Sequence, residues 1–222
     1  MTAERTAFFF LNISTIFMIV LIKKYQKFRL ATFLIALILI SILTYTSDDL
    51  SNRMIKDPIS SMGLENNSEK KNLFSPSHDS LMKTAYIMFR DKPIFGHGPK
   101  MFRVVCKNEK YQTGIKPCLT HPHNFYFQLL AETGIVGFLF LFSVLLYVFY
   151  CGMMQLKTKI FKQKKYLSDY QVCLLAAIFI TVWPFSPNGN FFNNWLAICY
   201  SLSIGFYLHS IYGNNRNELN EI

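Results

Sequence analysis

His121 and His123 flank Pro122, and Asn124 follows them at the head of an apolar, helix-patterned run that carries Glu132. An imidazole with an ordinary pKa near 6.5 exchanges protons at neutral pH, so this cluster has the equipment of a general base. Pro122 keeps His121 extended, which lets both rings face one side. Asn124 is placed to cap a helix starting at Phe125 and, with Glu132, to orient an imidazole. His123 is the first choice as base and His121 the second. Upstream, Gly96 and Gly98 flank His97 in a turn closed by Pro99, with Lys100 and Arg103 on the following residues. Two glycines let a backbone approach a phosphate closely, and the cations supply charge. Arg90 is a further cation nearby. The same residues also read simply as a tight turn.

Cys106 and Cys118 lie between these two segments, and with the two histidines they make a conceivable zinc set. Their separation is unlike a C-x2-4-C knuckle, and a disulfide between them is the favoured expectation. It would close a loop of about 13 residues, a contribution on the order of 3 kcal/mol in the chain-entropy model. Cys151, Cys173 and Cys199 fall in apolar runs and read as buried small hydrophobes. No cofactor and no metal is expected.

What must position these groups is a membrane. Of 222 residues, 51% are hydrophobic, and they come in blocks rather than in alternation. Residues 7–22, 30–46, 134–154, 170–185 and 195–213 contain no charge. Spanning a bilayer takes about 20 apolar residues, so the pattern predicts an all-α polytopic protein with about five transmembrane helices. The net charge of +10 is concentrated in two short segments, 23–29 and 157–165, which carry four and five basic residues. Basic short loops face the cytoplasm, so this charge signals topology and not a nucleic-acid partner. Three regions follow: 1–46 with two spans, a large exterior loop over 47–130, and 131–222 with three spans and an inner tail. Within the loop, 47–80 reads as weakly structured. A surface helix is predicted from Ser80 to Phe89, with Ser80 or Asp79 as its cap. The helix from Phe125 is expected to run through Glu132 into the third span unbroken, with Gly134 and Gly137 allowing close helix approach.

Two motifs resemble a known family. His123-Asn124, nine residues, Gly134, two residues, Gly137 is similar to the O-antigen ligase signature H-[NSQ]-x9-G-x-x-[GTY], and KPIFGHGPKMFR resembles the P-hydrophobic-hydrophobic-G-x-G-x-x-x-F run that precedes it. The turn WPFSPNGNFFNNW is similar to the polar, aromatic turn between the last spans, so the likeness covers roughly residues 30–213. Where the family often has an arginine after a Ser-Gly pair, this chain reads Ser77-His78-Asp79. The resemblance implies a GT-C-type membrane glycosyltransferase of lipopolysaccharide biosynthesis, without metal or cofactor. Such an enzyme acts at the outer face of the bacterial inner membrane, with its active loop in the periplasm.

It implies transfer of a glycan from an undecaprenyl-pyrophosphate carrier to an acceptor such as lipid A-core, with inversion. The essential histidine maps to His123, and the phosphate contacts to Arg103, then Arg90, with Lys100 in support. A full member has further spans, so the chain looks like the C-terminal part of one, and a separate N-terminal half is a candidate partner. The rival readings are a polymerase of the same superfamily and a non-catalytic membrane partner. A transporter is disfavoured because Pro184 and Pro187, near one end of a span, are the only helix-breaking signals it would want.

Overall fold

The computed structural model describes residues 5–61, 74–185 and 187–219, and every regular element among them is helical. Residues 62–73, within the expected exterior loop, and Ser186 lie outside this range. Helices α1 (Arg5–Leu21) and α2 (Gln26–Thr46) form a hairpin turned at Tyr25, whose φ of 53° is left-handed. Arg29 closes that turn by donating to the carbonyls of Ile22 (2.9 Å) and Lys24 (2.5 Å). The segment expected to be weakly structured is helical as far as Ser61. α3 (Asp48–Ser51), a π-helical turn (Asn52–Lys56) and α4 (Asp57–Ser61) follow α2 almost directly. Asp48 and Asp49 in the first turn of α3 favour this, because carboxylates offset the positive end of a helix dipole.

α5 (Pro76–Asp91) begins four residues before the expected cap. Pro76 occupies the first turn, where its fixed φ and missing N–H cost nothing. Ser80 is instead buried mid-helix and donates to the Thr113 carbonyl. Leu81, Ala85 and Met88 make a stripe at helical spacing and bury against Phe102, Cys106, Tyr111 and Ala131. The short α6 (Phe102–Val105) and a 3-10 turn (Glu109–Tyr111) complete this small loop core. Cys106 and Cys118 are joined by a disulfide with a Cα–Cα distance of 5.2 Å.

The second core lies among α1, α7 (Phe125–Ile160), α8 (Asp169–Thr181) and α9 (Asn194–Leu219), with Leu21, Val148, Val172, Leu175 and Tyr207 at its centre. α8 opens with a reciprocal cap between Ser168 and Gln171. Three helices are long and apolar enough to cross a membrane: α2, α7 and the Asn194–Gly213 part of α9. The other two apolar blocks form helices of 17 and 13 residues. Thirteen residues rise only about 20 Å, short of a hydrocarbon core of about 30 Å, so the expected count of five full spans is reduced to three plus two shorter helices. None of the α2 window is buried within the chain, which suits a surface facing lipid tails. Cys151 is buried as expected, whereas Cys173 and Cys199 are exposed on such outward faces.

The ends of the bundle sort as the charge pattern requires. Lys159 donates to the Ile19 and Val20 carbonyls, which brings the two basic segments to one end. At the other end the Asn188 N–H donates to the His123 carbonyl at 2.8 Å, and Asn124 Nδ2 donates to the Pro184 carbonyl at 2.7 Å.

Candidate functional site

Asn124 fixes the start of α7. Its Oδ1 accepts from the N–H groups of Tyr126 (3.0 Å) and Phe127 (3.3 Å), and its Nδ2 ties the cap to Pro184. The side chain is thereby committed to the backbone rather than to orienting an imidazole. Immediately before the cap, His123 takes φ 57°, a left-handed conformation uncommon outside glycine. That turn throws its ring back over its neighbours. The His121 and His123 ring centroids are 4.1 Å apart, and His78, from the first turn of α5, meets His123 edge-on at 5.4 Å. Three imidazoles from two distant segments thus share one place. Thr120 Oγ lies 2.9 Å from His121 Nδ1, and Ser75 Oγ lies 2.7 Å from His78 Nδ1. His121 Nε2 is buried and has no hydrogen-bond partner among the described residues.

Burial, followed by the charge of His123, lowers the His78 pKa; burial also lowers that of His123, with the Asn188 backbone opposing. His121 is held at about 4, mainly by burial, then by His123, with Asn188 opposing and Arg103 adding a smaller depression. All three therefore favour the neutral, proton-accepting form at neutral pH. The consequence for stability has a definite sign. Between about 4 and 6.5 an unfolded chain binds a proton at position 121 that the folded chain does not. The thermal midpoint should hold above pH 6.5 and fall as pH drops toward 4, with a shallower fall in His121→Gln. An equally steep fall in the variant would contradict the burial of this ring.

The glycines serve a different purpose from the one expected. The Gly96, His97 and Gly98 N–H groups donate to the carbonyls of Lys92 (3.1 Å), Ala131 (3.0 Å) and Glu132 (2.8 Å), and Ile135 N–H donates to Pro93 (2.8 Å). All three amides offered to a phosphate are thus taken up inside the protein. A Cβ on Gly96 would collide with the Glu132–Thr133 backbone, and one on Gly134 with the Ile94 carbonyl. Gly134 itself has φ 65° and ψ −159°, a region essentially reserved for glycine. The helix expected to continue unbroken is therefore interrupted there, and the loop at 93–98 docks into the break. Close approach at Gly134 is to this loop, not to another span. Gly137 lies against its own Thr133 side chain.

Glu132 is fully buried. Its Oε1 accepts from Phe102 N–H at 2.7 Å and its Oε2 from Gln128 Nε2 at 2.9 Å, so it braces α6 rather than His123. Gln128 extends the brace, donating to Asn190 Oδ1 and accepting from Phe191 N–H, each at 2.9 Å. Lys100 (φ 63°) and Arg103 are exposed, and Arg103 lies near enough to His121 and Glu132 to act on both electrostatically. Arg103 makes no ion pair among the described residues. Arg90 is exposed in the last turn of α5, twelve residues beyond His78, or about 18 Å along the helix. It is not brought to the histidines. Cys106 and Cys118 are bonded to one another, which removes them from any zinc set.

Sequence reasoning did not assign a role to His78, Gln128, Asn188 or Asn190. His78 carried a signal, since it stands where an arginine had been sought. Beside Phe125, one residue past the cap, an apolar cavity of about 470 Å³ opens between α7, α8 and α9, lined by Leu141, Tyr147, Val182, Tyr200 and Tyr207 among others.

Fold and site together define a helical membrane protein with an imidazole cluster at the end of its bundle opposite the basic segments. Residues 1–142 match the O-antigen ligase family model, and the chain belongs to that family. The match begins at the N-terminus and ends in α7, so it takes in His78, Arg103, His123 and the Gly134 break but not α8, α9 or the turn at Asn188. No curated protein and no solved structure matches the chain. Members of the family belong to the O-antigen ligases and polymerases, which transfer glycans and use lipid-linked glycan substrates.

Proposed function

We propose that this chain is an O-antigen ligase-like glycosyltransferase that moves a glycan from undecaprenyl pyrophosphate to an acceptor such as lipid A-core. The observation that carries the reading is the position of His123. Its ring, with a pKa lowered by burial, lies at the end of the bundle opposite the basic segments against His121 and His78; Arg103 acts electrostatically on the adjoining His121, and two residues on, Phe125 lines a cavity suited to an apolar chain. Basic segments at the other end favour the cytoplasm, so the histidine end faces the periplasm of an inner-membrane protein.

In this mechanism the acceptor hydroxyl attacks the anomeric carbon while the bond from that carbon to the pyrophosphate oxygen breaks. The acceptor proton passes to His123, and the charge leaves on undecaprenyl pyrophosphate. A single displacement of this kind inverts the anomeric centre. Arg103, supported by Lys100, stabilises the growing negative charge, a role that needs a cation already in place. The amides of the Gly96–Gly98 turn are not needed for it, and Glu132 ties α6, which carries Arg103, to α7, at whose start His123 lies.

Arg103→Ala should weaken donor binding roughly 10- to 100-fold, the worth of a charge-assisted hydrogen bond, with melting unchanged because the side chain is exposed. Unchanged donor affinity would remove the phosphate role. The polysaccharide profile of a strain lacking this protein tests the reaction itself. Loss of all attached chains supports ligation, whereas attachment of single repeats assigns polymerisation.

A further inference from the structure

At the end of the bundle away from the histidines, the turn between α1 and α2 meets the end of α7 around a cavity of about 230 Å³. Lys23, Lys159, Lys162 and Lys165 line it, with Gln155 and Thr158. We infer that this pocket binds the phosphate headgroup of an anionic phospholipid. The inference rests only on the membrane reading and is independent of the glycan chemistry.

Charge is the first argument. The two segments that meet here contribute nine lysine and arginine side chains, four from 23–29 and five from 157–165. The ion pair recorded for them is Lys165 with Asp169 at 2.7 Å. A topology signal alone requires basic residues on one side of the membrane but not a shared cavity between two loops. Here they converge because Lys159 reaches across to the Ile19 and Val20 carbonyls at the end of α1. Lys162 then takes φ 55° to end α7 and, with Gln163 N–H donating to Thr158 at 2.9 Å, folds the chain back over the cavity.

The second argument is the polar lining. Gln155 is only 3% exposed. Its Oε1 accepts from Leu167 N–H at 2.8 Å, and its amide NH2 has no protein acceptor among the described residues. The amide is a free donor on the pocket wall, and a phosphate oxygen there would accept from it. The four lysines and this amide outnumber the acceptor oxygens of Gln163 and Thr158 in the lining, which favours an anion.

The third argument identifies the anion as a lipid. Leu21 forms part of the pocket wall, and Val20, the residue before it, is exposed and offers apolar surface to acyl chains. The straight part of α7 after Gly134 is 26 residues, about 39 Å, so its lysine end emerges at headgroup level from a core of about 30 Å. Basic pockets between spanning helices at this depth suit anionic headgroups.

The test uses the full chain in detergent with equal amounts of phosphatidylglycerol and phosphatidylcholine, and bound lipid read by native mass spectrometry. Wild type should retain phosphatidylglycerol preferentially. Lys23→Gln and Lys162→Gln, both exposed rim positions, should each reduce that preference about fivefold, while the paired control Lys157→Gln with Lys164→Gln, outside the pocket, should leave it intact. Equal retention of the two lipids would overturn the inference. So would an equal loss in the control, which would indicate diffuse charge, or complete displacement by inorganic phosphate, which would indicate a free-anion site. The rim variants should keep glycan transfer, so failure here is distinguishable from failure of the proposed reaction.

Discussion

Replacing His123 with asparagine should lower glycan transfer by about 10²–10⁴-fold, the range expected for loss of a positioned general base. Asparagine is the informative choice because position 123 has φ 57°. Asparagine tolerates the left-handed region, whereas alanine would add backbone strain to the loss of the imidazole. The Asn188 N–H bond to the residue 123 carbonyl is retained in either case. The thermal midpoint should therefore change little while turnover collapses. The pH profile supplies an independent check. Burial lowers the His123 pKa, so the wild-type rate should stay flat through pH 7 and decline only below the ordinary value of 6.5. Full transfer by His123→Asn would remove this residue as base, and His121 or His78 would then have to carry the proton.

Gly134→Ala should destabilise the exterior loop by about 3 kcal/mol or more, the combined effect of a φ/ψ pair that alanine strongly resists and a backbone collision. The Cβ would meet the Ile94 carbonyl, which the hydrogen bonds from His97, Gly98 and Ile135 hold in place. Relief requires withdrawing the 93–98 loop from the helix break, and Phe102, Glu132 and Arg103 would move with it. Activity should be lost even though position 134 touches no substrate. Gly205→Ala provides the contrast, since nothing lies within 4 Å of a Cβ there and no change is expected. Limited proteolysis of the 93–120 region would report the difference, and equal resistance in the two variants would disprove the docking role.

Much of this arrangement was readable in local patterns. Charge-free blocks mark the apolar helices because a chain in hydrocarbon must satisfy its backbone internally. The basic segments at 23–29 and 157–165 imply a common side, and Lys159 does meet Val20. Asn124 before Phe125 reads as a cap because the signal spans three residues. The family likeness also rests on contiguous motifs, and the match covers both.

Apart from the Cys106–Cys118 disulfide, contacts between distant residues departed from the expectations. Gly96, Gly98 and Gly134 were recognisable as positions of close approach, but composition does not say what approaches. It is one backbone stretch against another, about forty residues on. Glu132 read as a partner for His123, yet the carboxylate is drawn to the Phe102 amide, an acceptor's natural target at the start of a short helix. His78 lies forty-five residues before His123 and joins it only because α5 packs across α7. The apolar character of the helices and the clustering of basic residues follow from free energies that each residue incurs with solvent or lipid, so they can be read along the chain, whereas the helix ends that left three long spans could not. The pairing of imidazoles and the docking of a loop into a broken helix are energies of non-local contact, and they exist only once the helices have packed.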